Sequence, residues 1–277
     1  LQDERVMSLE RLQQEIVAVL KSRRSETSFV GGSSVFNESF PRRSDDIDIY
    51  AEDVAIETIA NADIAALRAA GYHADVDDQF YGFVIEATVA RTRGADERTK
   101  LEWSEPDRQR FFPVQQSATF GWTLHKADLA VQKLIAAAAR RQARDAFDLL
   151  LISRRYAPLA ALALAAPAKL ENVSPVALLE RALRNAIGHP IEDYLALKRD
   201  NDPDAPAPED IKRAFADAVD NAIETIARDC AAAAPGALYL AHGSEVPALP
   251  RDADLLRLQR HEISARGTVP IFSTSGL

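Results

Sequence analysis

The hydrophobic period of this chain changes once, near residue 127, and that single change limits the folds open to it. Upstream, apolar and polar residues alternate in short runs separated by glycine. Asp46-Ile47-Asp48-Ile49 shows this most sharply, with two isoleucines on one side and two carboxylates on the other, as a half-buried strand requires. Downstream, alanine and leucine dominate, glycine is scarce, and the apolar spacing is helical to about residue 234. A sheet-forming part followed by a helical part predicts an α+β fold, divided into an α/β core over 1–125 and a mainly helical part over 126–277.

Within the first part, Val6, Leu9, Leu12, Ile16, Val17 and Leu20 place an amphipathic helix over 3–24. Its last residues, Lys21-Ser-Arg-Arg24, read as a solvated helix end. The apolar run 27–36 is broken by Gly31 and Gly32. A helix is expected over 54–70 with Gly71 as its stop, strands over 72–93 and 99–104, and a loop holding a short strand over 106–120. In the second part, 203–208 reads as a linker or exposed turn. The tail is irregular from Pro235 and turns helical again over 252–261.

The 277-residue chain is 47% apolar, enough to bury a sizeable core. Its net charge of −9 argues against a surface coated in phosphate-binding cations. The charge is uneven, however: 13 Lys or Arg stand against 8 Asp or Glu between Arg91 and Arg155. That segment reads either as a local basic groove for a polyphosphate or nucleic acid, or as an ordinary solvated surface. The lone Cys230 permits no internal disulfide, and no signal-peptide pattern is present, so a cytoplasmic location is expected. The longest oily stretch, 156–168, contains Pro158 and Pro167 and falls short of the ~20 apolar residues that a bilayer crossing needs. No membrane partner is expected.

The chemistry concentrates in Phe29-Val-Gly-Gly-Ser-Ser-Val35 and Arg42-Arg-Ser-Asp-Asp-Ile-Asp-Ile49. Residues two apart on a strand share a face, so Asp46 and Asp48 stand side by side. Adjacent carboxylates repel unless a cation lies between them. Magnesium commonly binds one or two carboxylates together with substrate phosphates, although an Asp-x-Asp pair is equally at home on the wet face of an ordinary strand. Gly31-Gly32 is either a plain tight turn or one whose backbone amides cradle phosphate oxygens, with Ser33 and Ser34 as hydroxyl donors. A glycine pair followed by paired carboxylates is far more specific than either alone. Lys133 sits in an alanine-rich helix with few charges, where an ammonium acts as a point charge on phosphate. Positions 141, 144, 145 and 148 form a charged stripe, read as a solvated face or a salt-bridge set, beside an apolar stripe of Ala143, Phe147, Leu150 and Leu151. Cys230 and the histidines show no metal-ligand spacing, and His125 reads as a capping or surface residue.

These blocks resemble the nucleotidyltransferase superfamily of the polymerase-β type. More narrowly, they resemble the AbiEii-type nucleotidyltransferases, the toxin halves of abortive-infection toxin–antitoxin pairs. Gly31-Gly32-Ser33 and Arg42-Arg43-Ser44-Asp45-Asp46-Ile47-Asp48 match the first block of that group. Asp128-Leu-Ala-Val-Gln-Lys133 and Arg144-Asp-Ala-Phe-Asp-Leu149 match the second. The resemblance covers residues 25–155, and 159–277 holds no motif that can be placed.

The resemblance implies a polymerase-β-like core, a mixed sheet with helices, followed by a helical part that completes the active site and offers an acceptor or partner surface. It implies Mg2+ (or Mn2+) held by Asp46, Asp48 and a third acid, for which Glu102 is the candidate and Glu86 the rival. Gly31, Gly32, Ser33 and Arg43 would bind the nucleotide triphosphate. Lys133, with Arg144, would meet the leaving pyrophosphate, and Asp128, Asp145 and Asp148 would support the site. The implied reaction moves a nucleoside monophosphate from a triphosphate to an acceptor hydroxyl, with tRNA as the acceptor and a separate antitoxin protein as partner. Two other readings stay open: a small-molecule nucleotidyltransferase of the aminoglycoside-modifying kind, and a catalytically silent binding protein of the same fold.

Overall fold

The computed structural model describes residues 9–36, 38, 40–80, 82–200, 202 and 205–272. The chain divides into two compact units, and the division is not a single cut. The first holds Leu1–Arg108, Val114–Lys126 and Lys198–Asn201, and the second holds Gln109–Pro113, Ala127–Leu197 and Asp202–Leu277. The fold is α+β, as the change of period predicts, with a seven-stranded mixed sheet and helices.

The elements of the first unit are α1 (Arg11–Leu20), β1 (Ser28–Val30), α2 (Gly32–Phe36), β2 (Asp46–Ala51), α3 (Ile56–Ala69), β3 (His73–Phe80), β4 (Val84–Ala90) and β5 (Arg98–Ser104). β6 (Gln109–Arg110) belongs to the second unit, and β7 (Gln115–Ser117) and β8 (Gly121–Thr123) return to the first. The sheet runs β3-β4-β5-β2-β1-β8-β7. β2 pairs with β5, and β1 with β8, in parallel; the other neighbours are antiparallel. Strand alternation sends Ile47, Ile49, Leu101, Trp103, Ile85 and Val89 to one face, where all are buried. The buried stripes of α1 (Leu12, Ile16) and α3 (Ile64, Leu67) belong to the same core, α1 packing on β5 and α3 on β2 to β5.

Three local expectations are revised. Of the helix over 3–24, Arg11–Leu20 is α-helical and Lys21–Arg23 closes as a 3-10 turn, while 3–8 lies outside the described residues. Within 27–36 the strand β1 gives way to α2, a helix too short for any period to reveal. Arg24 is not a solvated helix end. It is buried, with Nη2 2.5 Å from Asp63 of α3, and Arg23 Nε reaches the same carboxylate at 2.9 Å. Trp103 Nε1 also donates to Asp63, at 2.9 Å. Burial pushes the Arg24 pKa down, against the pull of the Asp63 carboxylate.

The second unit is helical at its centre: α4 (Lys126–Ala139), α5 (Ala143–Arg155), α6 (Leu159–Ala165), α7 (Pro175–Ile187), α8 (Ile191–Leu195) and α9 (Ile211–Asp229). Two small strand pairs accompany them, β9 (Ala237–Leu240) with β10 (Gln259–Glu262) and β6 with β11 (Ser264–Ala265). Every residue of α6 is buried, so the centre of the oily stretch, 159–165, is core. The helix expected over 252–261 is instead a 3-10 turn at Leu255–Arg257 running into β10. β9 is wholly buried, and its backbone polar groups need a partner, which β10 supplies. Among the described residues no single helix is long and apolar enough to cross a membrane. The pair Ala143–Arg155 and Leu159–Lys169 has the length and composition but bends by 111°.

The Asp63 cluster gives the first testable expectation. Asp63→Ala removes the carboxylate that pairs the buried Arg24 and accepts from Trp103. Urea denaturation should show a loss of about 3–5 kcal/mol, the scale of breaking a buried pair by removing one partner. An unchanged midpoint would place this cluster outside the stabilising core.

Candidate functional site

β1 ends at Gly31, whose amide donates to the Asp48 carbonyl at 3.0 Å and so extends the β1–β2 ladder by one residue. Both glycines are needed sterically. A Cβ on Gly31 would lie 2.3 Å from the Tyr50 ring, and one on Gly32 would lie 1.6 Å from Asp48 Oδ2. Gly32 also has φ +66°, in the left-handed region. The turn therefore closes directly on the Asp48 carboxylate.

Ser33 and Ser34 are buried, and their hydroxyls have local partners. Ser34 Oγ donates to the Gly31 carbonyl at 3.2 Å. Ser33 Oγ lies 3.3 Å from Ser44 Oγ, which in turn lies 2.8 Å from the Asp46 carbonyl and 3.3 Å from Asp46 Oδ1. Gln13 of α1 holds the Ser44 carbonyl at 3.1 Å and Thr99 Oγ1 at 3.0 Å. Sequence reasoning missed Gln13, because a buried glutamine inside an amphipathic stripe gives no local signal, and it quoted Ser44 within the 42–48 block without giving it a role.

The parallel register of β2 on β5 sets Asp46 opposite Lys100 and Asp48 opposite Glu102. β4 continues the row, with Glu86 opposite Glu102, and β3 ends it, with Asp78 opposite Glu86. Four carboxylates, Asp48, Glu102, Glu86 and Asp78, thus line up across four strands. Asp46, Asp48, Glu86, Lys100 and Glu102 are all half-buried, on the face opposite the core. Glu102 is the direct neighbour of Asp48, and Glu86 lies one strand further out. Lys100 Nζ is 2.6 Å from Glu86 Oε1. The hydrogen bond to Glu86 raises the Lys100 pKa against the opposing effect of burial, and the charges of Glu86, Glu102 and Asp46 add to the rise. Asp46, Asp48 and Glu102 are hard oxygen donors of the kind magnesium takes, and two carboxylates with substrate phosphates suffice for that ion. Among the described residues no three His, Cys, Asp or Glu side chains are gathered as a ready-made metal cage.

Arg43 is occupied by an acid on a distant stretch of chain. Its Nε is 3.1 Å from Asp200 Oδ1, and that hydrogen bond raises its pKa. The stretch 198–200 runs antiparallel beside 41–43, with Arg43 N donating to the Lys198 carbonyl and Asp200 N to the Pro41 carbonyl. His125 is buried rather than at the surface.

The remaining sequence-predicted residues lie in the second unit. Lys133 of α4 is buried, with Nζ 2.8 Å from Asp148 Oδ2 and 3.9 Å from Asp145 Oδ1 of α5. Arg140 Nε reaches Asp145 at 2.9 Å. Asp145 is 1% exposed and Asp148 is fully buried, so these two form a salt-bridge set and not a solvated stripe. α5 is packed on by α6, α7, α8 and α9, which leaves it little wet face. Asp128 is a backbone anchor. Its two oxygens accept the amides of Phe111 and Phe112, each at 2.9 Å, and Lys169 Nζ lies 3.7 Å away. Arg144 is half-buried on α5. Six of the 13 cations between Arg91 and Arg155 have carboxylate partners within their own unit. Arg91 pairs with Glu15, Lys100 with Glu86 and Arg108 with Asp53 in the first; Lys133, Arg140 and Arg155 pair with Asp148, Asp145 and Asp202 in the second.

No protein-family model and no curated protein matches this chain. Among solved structures it is similar to the nucleotidyltransferase toxin MenT4 from Mycobacterium tuberculosis H37Rv, at 14% identity over 78% of this chain and 82% of that one, with a TM-score of 0.48.

Two variants test the geometry. Gly32→Ala places a side chain at a left-handed φ and against Asp48 Oδ2, and should cost at least about 1–2 kcal/mol of unfolding free energy. Lys133→Met removes the cation beside Asp148 and Asp145 and should cost about 3–5 kcal/mol, while Lys133→Met/Asp148→Leu should recover much of that loss. Equal losses in the single and double variants would show that the pair is not a unit.

Proposed function

We propose that this chain is a metal-dependent nucleotidyltransferase that moves a nucleoside monophosphate from a triphosphate to an acceptor hydroxyl and releases pyrophosphate. One observation carries the reading: the Gly31-Gly32 turn closes on Asp48, while Glu102 stands beside Asp48 in the parallel register. A phosphate-approaching turn and a row of carboxylates are the two parts that handling a metal-bound triphosphate requires.

Asp46, Asp48 and Glu102 would hold Mg2+ (or Mn2+), which when bound neutralises phosphate charge and polarises the phosphorus under attack. Ser33 and Ser34 are tied to Ser44 and to Gly31, so the backbone of the 31–33 turn would meet the phosphates, with the serines fixing its shape. The acceptor oxygen bonds to the α-phosphorus as the bond to the bridging oxygen breaks, and a carboxylate of the row takes the acceptor's proton.

The motif of residues 42–48 favours the toxin half of an abortive-infection pair, acting on a tRNA end and countered by a separate antitoxin. A second reading, a cationic small molecule of the aminoglycoside kind as acceptor, is favoured by the carboxylate row and by the ion pairing of the 91–155 cations.

The test is label transfer from each α-labelled nucleoside triphosphate, with magnesium, to total tRNA and separately to aminoglycosides. Label on tRNA should appear with one base, and fall by about 100-fold or more in Asp46→Asn/Asp48→Asn, the scale of losing electrostatic stabilisation of a transition state. Gly32→Ala should lose about as much, because it displaces Asp48. Label on the antibiotic alone selects the second reading, and no label on any acceptor overturns the proposal.

A further inference from the structure

We propose that the outer edge of β3 docks an extended, basic peptide segment of a partner protein, added to the sheet as a further strand. β3 is the terminal strand of the seven, and among the described residues no strand pairs with its outer side. An eight-residue strand in that position presents unpaired backbone donors and acceptors, a template that proteins ordinarily cover or blunt. The cover here is slight. Arg68 of α3 donates to the Ala74 carbonyl at 2.6 Å, Asp78 Oδ1 accepts the Gln79 amide at 2.8 Å, and a bulge falls between Val76 and Asp78. From Asp75 to Phe80 every residue but Gln79 is exposed.

The side chains on and beside this edge specify the occupant. Val76, on the core face of β3, is 47% exposed; Phe80, on the carboxylate face, and Phe83, in the turn that follows, are 63% and 73% exposed. Asp75, Asp77 and Asp78 accompany them, and the one basic residue of the strand, His73, already contacts Asp75 at 2.8 Å. A second copy of this chain would set those acids against their own equivalents, which like-charge repulsion opposes. Asp75, Asp78 and Phe80 stand on one face of β3 and Val76 on the other, so a segment of alternating lysine or arginine and apolar residues pairs its backbone along the edge, lays its cations over the aspartates and the Phe80 ring, and sets its apolar side chains on the side of Val76. The inference does not depend on the chain's transferring nucleotides.

The test uses the whole protein and a short fluorescent peptide of alternating lysine and valine, with a glutamate–valine peptide as control. Fluorescence polarisation and hydrogen–deuterium exchange are read together. The lysine–valine peptide should bind, slow exchange of the amides over 75–80, and bind about tenfold more weakly to Asp75→Lys/Phe80→Ser. Phe83→Ser, in the turn outside the ladder, serves as the second variant if the double one unfolds. Equal binding of the glutamate peptide, unchanged exchange over 75–80, or unaltered binding by both variants would overturn the proposal. Protection of the same amides without peptide, rising with protein concentration, would overturn it in favour of a second copy of the chain.

Discussion

Strand alternation is the constraint on which the first unit depends. Burying Ile47 and Ile49 of β2, and Leu101 and Trp103 of β5, obliges Asp46, Asp48, Lys100 and Glu102 to the opposite face, because successive side chains on a strand point to opposite sides. A slip of one residue would exchange the two sets and bury the carboxylates. The core and the carboxylate row are therefore one fact seen from two sides. The register of β5 has a further anchor, since Trp103 donates to Asp63, which Arg24 neutralises from the chain just after α1.

The glycine turn is fixed by the same row. Gly32 has no room for a side chain because Asp48 Oδ2 occupies it, and Gly31 none because of Tyr50. Ser33, Ser44 and Asp46 form a chain of polar contacts that Gln13 ties to α1 and to Thr99 of β5. Moving the turn would move the acids, so the two parts of the candidate site are held in one geometry before any ligand arrives. Preorganisation of this kind lets electrostatic groups act without reorganising during reaction.

Buried acids separate what these charges do from what composition suggests. Asp63, Asp128, Asp145 and Asp148 are each at most 1% exposed. Asp128 accepts two backbone amides from the 109–113 stretch, which the β6–β11 pairing and His261 also tie to the second unit. Asp145 and Asp148 hold Lys133 and Arg140. Of the 13 cations between Arg91 and Arg155, six have carboxylate partners within their own unit, and two of these, Lys133 and Arg140, meet the buried acids. The face beside Asp46 and Asp48 carries instead a row of acids.

The sequence by itself determined the class of fold and the placement of the paired acids. Both follow from short-range rules, the period of two in residues 46–49 and the helical period after residue 127, that need no knowledge of the partner element. It also marked Gly31 and Gly32, whose lack of a side chain is meaningful wherever they stand. The tertiary structure alone decided that Glu102, and not Glu86, adjoins Asp48, because strand order is a long-range choice that no window of sequence contains. It decided that Arg24 and Asp148 are buried, that 252–261 ends as a strand, and that Arg43 is held by Asp200. Each of these depends on a residue far along the chain supplying a charge or a hydrogen-bonding edge, and an ionic or backbone group is buried only where such a partner arrives.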